Sequence, residues 1–324
     1  MNSSRQDEVI LNENGEKQNP INVDIVSVII KCLCCSIGIP LNASIAVTIT
    51  RLHRRPRNHF LLGIILSHLS FFIPTSIELI YWAYSVEYVC DAYMAVAVIP
   101  QGLLLTNMLL ALIDRYLAIN HPLLHRRKMT TRFAGCLIIT CSVFIVFLIK
   151  FVYIVQLRTL GCETLLLHLK MNAVILVVLF ISCIVLNIII YRQTRTLLRE
   201  SRTLQATQEE SDPSNGGANV NDDTAFTPMC IHVDREKLGD MEMEATRTLV
   251  IGVASLCVMP CLALIFKASF FACRLVYGQS ACTNLLKIAP IIKEFSLSLA
   301  IYGPIIFLVR NRELRVACAC KVYR

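Results

Sequence analysis

The sequence predicts an all-α membrane protein, a seven-transmembrane helix bundle followed by a short amphipathic eighth helix. Hydrophobic residues make up 55% of the 324 residues and charged residues only 17%, and the mean hydropathy is +0.60. These values lie far from those of a soluble globular domain. Seven apolar runs each exceed the roughly 20 residues that a helix needs to cross the hydrocarbon. They cover residues 24–50, 58–84, 90–119, 132–156, 167–193, 245–272 and 284–309.

The apolar runs lack the alternation of polar and apolar residues that membrane strands show, so a barrel is not expected. Residues 1–23 are polar and show no cleavable leader, so the first span itself must direct insertion. Residues 24–309 then form the bundle, and residues 310–324 form the eighth helix and the tail. Residues 200–243 cannot bury enough apolar surface to order themselves. We expect a disordered loop there, flanked by helical extensions of the fifth and sixth spans.

Lys and Arg residues indicate the orientation, because short cytoplasmic loops carry an excess of them. The basic residues of the 1–2 loop, the 3–4 loop and the tail are Arg51, Arg54, Arg55, Arg57, Arg126, Arg127, Lys128, Arg132, Arg310, Arg312, Arg315, Lys321 and Arg324. We therefore expect a plasma-membrane protein with its amino terminus outside and these segments in the cytosol. The net charge of +8 favours the inner leaflet of the lipid bilayer as a partner. Nucleic acid is not an expected partner, because the basic residues are dispersed among the spans.

Four of the fifteen cysteines fall on the outer side in this topology, where disulfides form. We expect Cys90 and Cys162 to join the top of the third span to the 4–5 loop. Cys273 and Cys282 would close the 6–7 loop.

Two surface modifications are also predicted. Asn2 begins a glycosylation triplet on the outer side. Cys318 and Cys320 follow the seventh span on a basic amphipathic stretch and are candidates for palmitoylation. The alternative is that both are unmodified cytosolic thiols without a function.

Asp114-Arg115-Tyr116, at the end of the third apolar run, is the most informative local feature. A charged pair beside hydrocarbon is costly, which indicates a function at the membrane edge. An arginine is always charged, so Arg115 needs carboxylate partners when it is desolvated.

These features resemble the rhodopsin-like (class A) family of G-protein-coupled receptors, over residues 30 to 320. The motifs that carry the resemblance are Asp114-Arg115-Tyr116, Pro122, the Cys90 and Cys162 pair, and Asn42 in the place of the first-span asparagine. Pro260 and Pro304 match the prolines of the sixth- and seventh-span motifs. In those motifs, Val258 replaces a tryptophan, Gly303 an asparagine and Phe307 a tyrosine.

At three core positions this sequence carries residues that differ from those of the family. The second-span aspartate falls on His68, the third-span serine on Leu104 and the seventh-span asparagine on Gly303. In the family these groups help to hold a sodium ion, and the residues present here are poor ligands for a hard cation. We therefore expect no sodium modulation. His68 would be either a proton-sensitive element or a neutral histidine satisfied by Asn42 or Ser67.

The resemblance implies a switch at the cytosolic face. Asp114 would hold Arg115 together with Asp240 of the sixth helix, and Glu244 lies one turn further on. A ligand would open this face, where Arg115 and Tyr191 would meet a heterotrimeric G protein. The resemblance also implies an arrestin and a receptor kinase as partners.

The resemblance also argues against two ligand classes. The amine-binding aspartate falls on Ala97, and the retinal-linking lysine falls on Leu297. Polar residues that could line the outer cavity are Glu78, Gln101, Lys267, Lys293 and Glu294, together with Tyr81, Lys150, Tyr153 and Lys170. The lysines outnumber the acidic residues, which favours an anionic small molecule or lipid as the ligand. A peptide ligand stays open as an alternative.

Structural roles, as opposed to ligand binding, also stay open for these polar groups. Lys150, Lys170 and Lys267 would extend to the outer headgroups. Lys293 would pair with Glu78 or Glu294. Gln101 would bond a neighbouring helix.

Other function classes find less support. No metal-ligand spacing, phosphate loop or nucleophile elbow is present, so we expect neither an enzyme nor a cofactor. Repeated halves typical of transporters are absent, and so is a residue ring typical of channels. Two alternatives stay open: a decoy or scaffolding receptor that does not couple, and an odorant-type chemosensory receptor.

Overall fold

The computed structural model describes residues 21–52, 56–84, 95–96, 98–155, 162–210, 246–258, 283–311 and 314–316, and the single residues 265, 269 and 273. Its helices, in chain order, are α1 (Ile21–Arg51), α2 (Pro56–Ser70), α3 (Phe72–Tyr84), α4 (Ile99–Asn120), α5 (Pro122–Lys128), α6 (Thr131–Val155), α7 (Cys162–Glu210), α8 (Thr246–Val258) and α9 (Thr283–Arg310). No strand occurs within these ranges.

Five helical stretches of the described chain are long and apolar enough to cross a membrane. They are Ile25–Arg51, Pro56–Ile80, Ile99–Asn120, Thr131–Phe151 and Asn172–Leu197. Two shorter apolar helices, Thr246–Val258 and Leu297–Arg310, lie within the predicted sixth and seventh spans. The prediction of an all-α membrane bundle is therefore confirmed.

The second predicted span is divided at Phe71, between α2 and α3. The amide of Phe71 donates to the carbonyl of His68 over 3.2 Å, which tightens the turn. Pro74 lies three residues further on, has no amide hydrogen, and its ring crowds the carbonyl four residues earlier. Proline is therefore the physical cause of the break.

The fifth span continues far beyond its apolar part. α7 runs to Glu210, whereas the prediction placed a disordered loop from residue 200. The first eleven residues of that loop are therefore helical, in line with the predicted extension of this span. Residues 211–243 lie outside the described part of the chain, so the disorder predicted there stays a prediction.

α4 lies at the centre of the bundle and is the most buried of the five spanning stretches. It packs against α2, α6 and α7, while α1 packs against α2, α3 and α9. Large apolar side chains also cover the outward faces of the helices. Examples on α6 and α7 are Ile139, Val143, Phe147, Val174, Val178, Ile181 and Val185. Exposed apolar faces of this extent fit a lipid environment.

One amide joins the first helix to the last. Asn42 of α1 is fully buried, and its Nδ2 donates to the carbonyls of Gly38 at 2.8 Å and Ala300 at 2.9 Å. In α9 the Ala300 carbonyl would normally accept the amide hydrogen of residue 304, but Pro304 has none. Asn42 thus satisfies a buried carbonyl that the helix itself leaves without its usual donor.

Candidate functional site

The helix ends define what we call the basic end of the bundle. Arg51 ends α1, α5 carries Arg126, Arg127 and Lys128, and Arg310 ends α9. Asp114 and Arg115 lie in the last two turns of α4, at the same end. The charged pair predicted from the sequence, Asp114 and Arg115, therefore lies at the basic end of the bundle.

Asp114 is the centre of a three-residue ion cluster. Arg115 donates to Asp114 Oδ2 through Nε at 2.9 Å and through Nη2 at 2.5 Å. His125 of α5 places its Nε2 2.8 Å from the other carboxylate oxygen, Oδ1. An ionised carboxylate only accepts hydrogen bonds, so the His125 Nε2 carries the hydrogen.

The cluster is almost closed to solvent. Asp114 is 1% exposed and Arg115 is 5% exposed. A charge at such a depth is strongly destabilising unless it is paired, and here each carboxylate oxygen has a donor. Removing either charged partner would leave an uncompensated charge inside the protein.

A second polar pair fixes the end of α4 against α7. Asn120 and Gln193 exchange two side-chain hydrogen bonds, of 3.3 Å from Asn120 Nδ2 and 3.2 Å from Gln193 Nε2. Tyr116 is partly buried against the apolar core. The segment that carries Arg115 is thus held on two sides, by α5 and by α7.

The space beside Arg115 is a narrow cavity of about 50 Å³. Its walls come from α2, α4, α8 and α9 and include Arg57, Asn58, Phe60, Leu61, Ala111, Asp114, Arg115, Thr248, Leu249, Phe307 and Asn311. A protein segment inserted between the helices would need far more space than this. The described helices therefore leave too little room for such a segment beside Arg115.

Phe307 of α9 forms part of the wall of this cavity. A Cβ atom added to Gly252 of α8 would lie 2.8 Å from the Phe307 ring, so this glycine permits a close approach of the two helices. One turn away, the Tyr302 hydroxyl donates to the Ser255 carbonyl over 2.9 Å. α8 and α9 are thus joined by packing and by a hydrogen bond.

The core site around His68 differs from the prediction. His68 is 0% exposed, and among the described residues neither ring nitrogen has a hydrogen-bond partner. The expectation that Asn42 or Ser67 satisfies it was wrong. Asn42 donates to two carbonyls, and Ser67 donates to Gly63 O and accepts from Asn107 Nδ2, each over 2.8 Å.

The position of the His68 ring is explained by Gly303. A Cβ on Gly303 would lie 2.7 Å from His68 Nε2 and 2.8 Å from Leu256 Cδ2. The imidazole therefore occupies the volume that any side chain at position 303 would need. Leu104 is also buried. No group of three or more metal-ligating His, Cys, Asp or Glu side chains occurs in the part of the chain that is described.

At the opposite end of the bundle, Glu78 of α3 pairs with Lys31 of α1 at 3.0 Å. The sequence had suggested Lys293 as its partner, and Lys31 was not recognised. Lys150 is buried, so its predicted extension to the headgroups was wrong. Gln101 is half-buried as the third residue of α4.

Other predicted site residues lie partly or wholly outside the described part of the chain. Lys293 and Glu294 belong to α9 and Cys162 begins α7, but their side chains are not among those described. Cys273 is half-buried. Outside the described residues altogether lie Asn2, Cys90, Asp240, Glu244, Pro260, Lys267, Cys282, Cys318 and Cys320. The disulfides, the modifications and the contact from the sixth helix to Arg115 therefore stay predictions.

Among the predicted switch residues, Pro304 is buried in α9, and Tyr191 is exposed on α7. His125 was not identified as a site residue from the sequence. Its polarity alone does not show that its partner is Asp114, eleven residues earlier. The Asn120–Gln193 pair was also missed, since its two members are 73 residues apart.

Comparison with known families gives a match over most of the chain. The family model described as 7 transmembrane receptor (rhodopsin family) matches residues 42–307. No curated protein matches the chain. The matched range contains the Asp114 cluster, Asn42, His68 and Gly303.

Proposed function

The chain belongs to the rhodopsin family of seven-transmembrane receptors, and we propose that it converts binding of an extracellular anionic ligand into activation of a heterotrimeric G protein. Its family membership makes it a multi-pass membrane receptor and not an enzyme. The observation that carries the proposal is the buried cluster of Asp114, Arg115 and His125.

The cluster supports a two-state mechanism. In the closed form, the Arg115 charge is compensated inside the bundle by Asp114. An outward movement of α8 would widen the cavity beside Arg115 and admit a segment of the G protein. A ligand shifts such an equilibrium only by binding the open form more tightly than the closed one. Asp240 and Glu244 would add an interhelical bond to Arg115 in the closed form.

The orientation that we propose places the basic end in the cytosol, at the plasma membrane, with the amino terminus outside. It would place Asn2 and the disulfides Cys90–Cys162 and Cys273–Cys282 outside. Cys318 and Cys320 would then be available for palmitoylation inside. Arrestin and a receptor kinase would act at the same basic end as the G protein.

The anionic ligand class rests on the lysines of the opposite end. Lys31 and Glu78 compensate each other there, so the surplus of positive charge would come from Lys267 and Lys293. Each can donate a charge-assisted hydrogen bond to a carboxylate or phosphate.

A ligand screen tests this proposal. Small acids, lipids, nucleotides and peptides are applied to cells that express the full chain and a promiscuous G-protein reporter. We expect an anionic agonist, and we expect Lys293→Ala to weaken it by about tenfold or more, the cost of one charge-assisted hydrogen bond. Lys128→Ala removes the same charge at the basic end and should leave agonist potency unchanged.

Two outcomes would contradict the proposal. An agonist that is indifferent to both Lys267→Ala and Lys293→Ala would rule out anion recognition by these lysines. Binding of a ligand without any G-protein response would favour the decoy receptor, whose altered contacts at Gly303 and Phe307 would then prevent coupling.

A further inference from the structure

A groove of about 620 Å³ lies between α7 and α8 at the basic end, apart from the Arg115 cavity. Its lining residues are Tyr191, Thr194, Arg195, Arg199, Arg247, Val250 and Ile251. Among the seven described residues that line the groove, three are arginines and none carries a carboxylate. The groove is thus a concentration of positive charge shared by two helices.

The arginines converge because of the helical repeat. Arg195 and Arg199 are four residues apart, so they lie one turn apart on the same face of α7. Arg247 reaches the groove from α8. All three side chains are exposed, whereas Thr194 and Val250 are buried. The Thr194 hydroxyl already donates to the Ile190 carbonyl over 2.8 Å, so the guanidinium groups are the main donors offered to a ligand.

The end of the apolar stretch of α7 indicates the depth of the groove in the membrane. The apolar stretch of this helix that can span the bilayer runs from Asn172 to Leu197. Arg195 lies in its last turn, and Arg199 lies just beyond it. The groove therefore lies where the hydrocarbon ends and the lipid headgroups begin.

We propose that this groove binds the phosphorylated headgroup of an anionic inner-leaflet lipid of the phosphoinositide class. The inference rests on the proposed function in one respect, since it takes the basic end as cytosolic. Guanidinium groups bind phosphate oxygens in a bidentate manner. Basic pockets between transmembrane helices on the cytoplasmic side are suited to such headgroups.

Two features favour a lipid with several phosphates. Three guanidinium groups on two helices can contact more than one phosphate, whereas a single phosphodiester would leave much of the groove charge uncompensated. The volume falls within the range of about 300–1,000 Å³ that is usual for small-ligand sites. A bound headgroup would bridge Arg199 and Arg247 and thereby link α7 to α8.

The test measures binding of a fluorescent short-chain phosphatidylinositol bisphosphate to the full chain in phosphatidylcholine nanodiscs. The variant is Arg195→Gln/Arg199→Gln/Arg247→Gln. Its matched control, Arg126→Gln/Arg127→Gln/Lys128→Gln, removes the same charge from exposed positions of α5 at the same end. We expect the groove variant to weaken binding by about tenfold or more and the control by less than about threefold.

Three outcomes would overturn the inference. Equal losses in the two variants would indicate general attraction to charge. Soluble inositol trisphosphate that binds as tightly as the lipid would assign the groove to a soluble anion. Loss of nucleotide exchange by the groove variant in pure phosphatidylcholine would place these arginines against the G protein. Lipid binding by a wild-type chain that activates no G protein would contradict the proposed function and leave the lipid site intact.

Discussion

Replacing Asp114 with alanine is expected to lower the free energy of unfolding by about 3 kcal/mol or more. The carboxylate accepts from Arg115 and His125, and Arg115 is only 5% exposed. Without the carboxylate, a guanidinium charge stays in the closed bundle with no compensation from its own helix. The measurement is the thermal unfolding midpoint of the purified receptor in detergent, which should fall by several degrees.

Two further variants distinguish the effect of losing the Asp114 charge from the effect of losing the volume of its side chain. Asp114→Asn keeps the size of the side chain but removes its charge, so its midpoint should lie between those of the wild type and Asp114→Ala. The double variant Asp114→Ala/Arg115→Ala removes both charges and should recover much of the loss. A double variant that is as unstable as the losses of Asp114→Ala and Arg115→Ala added together would show that the residues are not coupled.

Replacing Gly303 with alanine is the second change for which we expect a large effect. The added methyl group would lie 2.7 Å from the His68 ring and 2.8 Å from Leu256. Overpacking of a filled core costs about 1–3 kcal/mol. Gly135 is the matched control, because a Cβ added there meets nothing within 4 Å. Gly135→Ala should be neutral or slightly stabilising, since alanine favours a helix over glycine.

The role of His68 is tested by a double-mutant cycle. His68→Ala alone leaves a cavity, and Gly303→Ala alone creates a clash. In His68→Ala/Gly303→Ala the new methyl group would occupy part of that cavity. We therefore expect the double variant to be more stable than the sum of the single effects by about 1 kcal/mol. Additive losses would contradict the direct contact between the imidazole and position 303.

The sequence was sufficient for the all-α membrane bundle and for the ion pair of Asp114 and Arg115. Both follow from local rules, namely the length of apolar runs and the cost of a charge beside hydrocarbon. The family resemblance assigned Asn42 to the place of the first-span asparagine, but it did not reveal the bond to Ala300. That bond depends on the effect of Pro304 on a carbonyl 258 residues away from Asn42.

Other parts of the site could not be read from the sequence for the same reason. Lys31 is one polar residue within an apolar run, and only the packing of α1 against α3 pairs it with Glu78. The partners expected for His68 proved to be bonded elsewhere. The whole 200–243 segment separates Arg195 and Arg199 from Arg247, so their convergence requires α7 and α8 to lie side by side.

Ligand-free nucleotide exchange tests the central claim most directly, because it needs no identified agonist. Wild type, Asp114→Ala and Asp114→Ala/Arg115→Ala are reconstituted in nanodiscs with a purified heterotrimeric G protein. If the paired Arg115 holds the basic end closed and then contacts the G protein, Asp114→Ala should exchange nucleotide several-fold faster than the wild type. The double variant should lose that gain. Equal exchange by the single and double variants would contradict the assignment of Arg115 as the coupling residue.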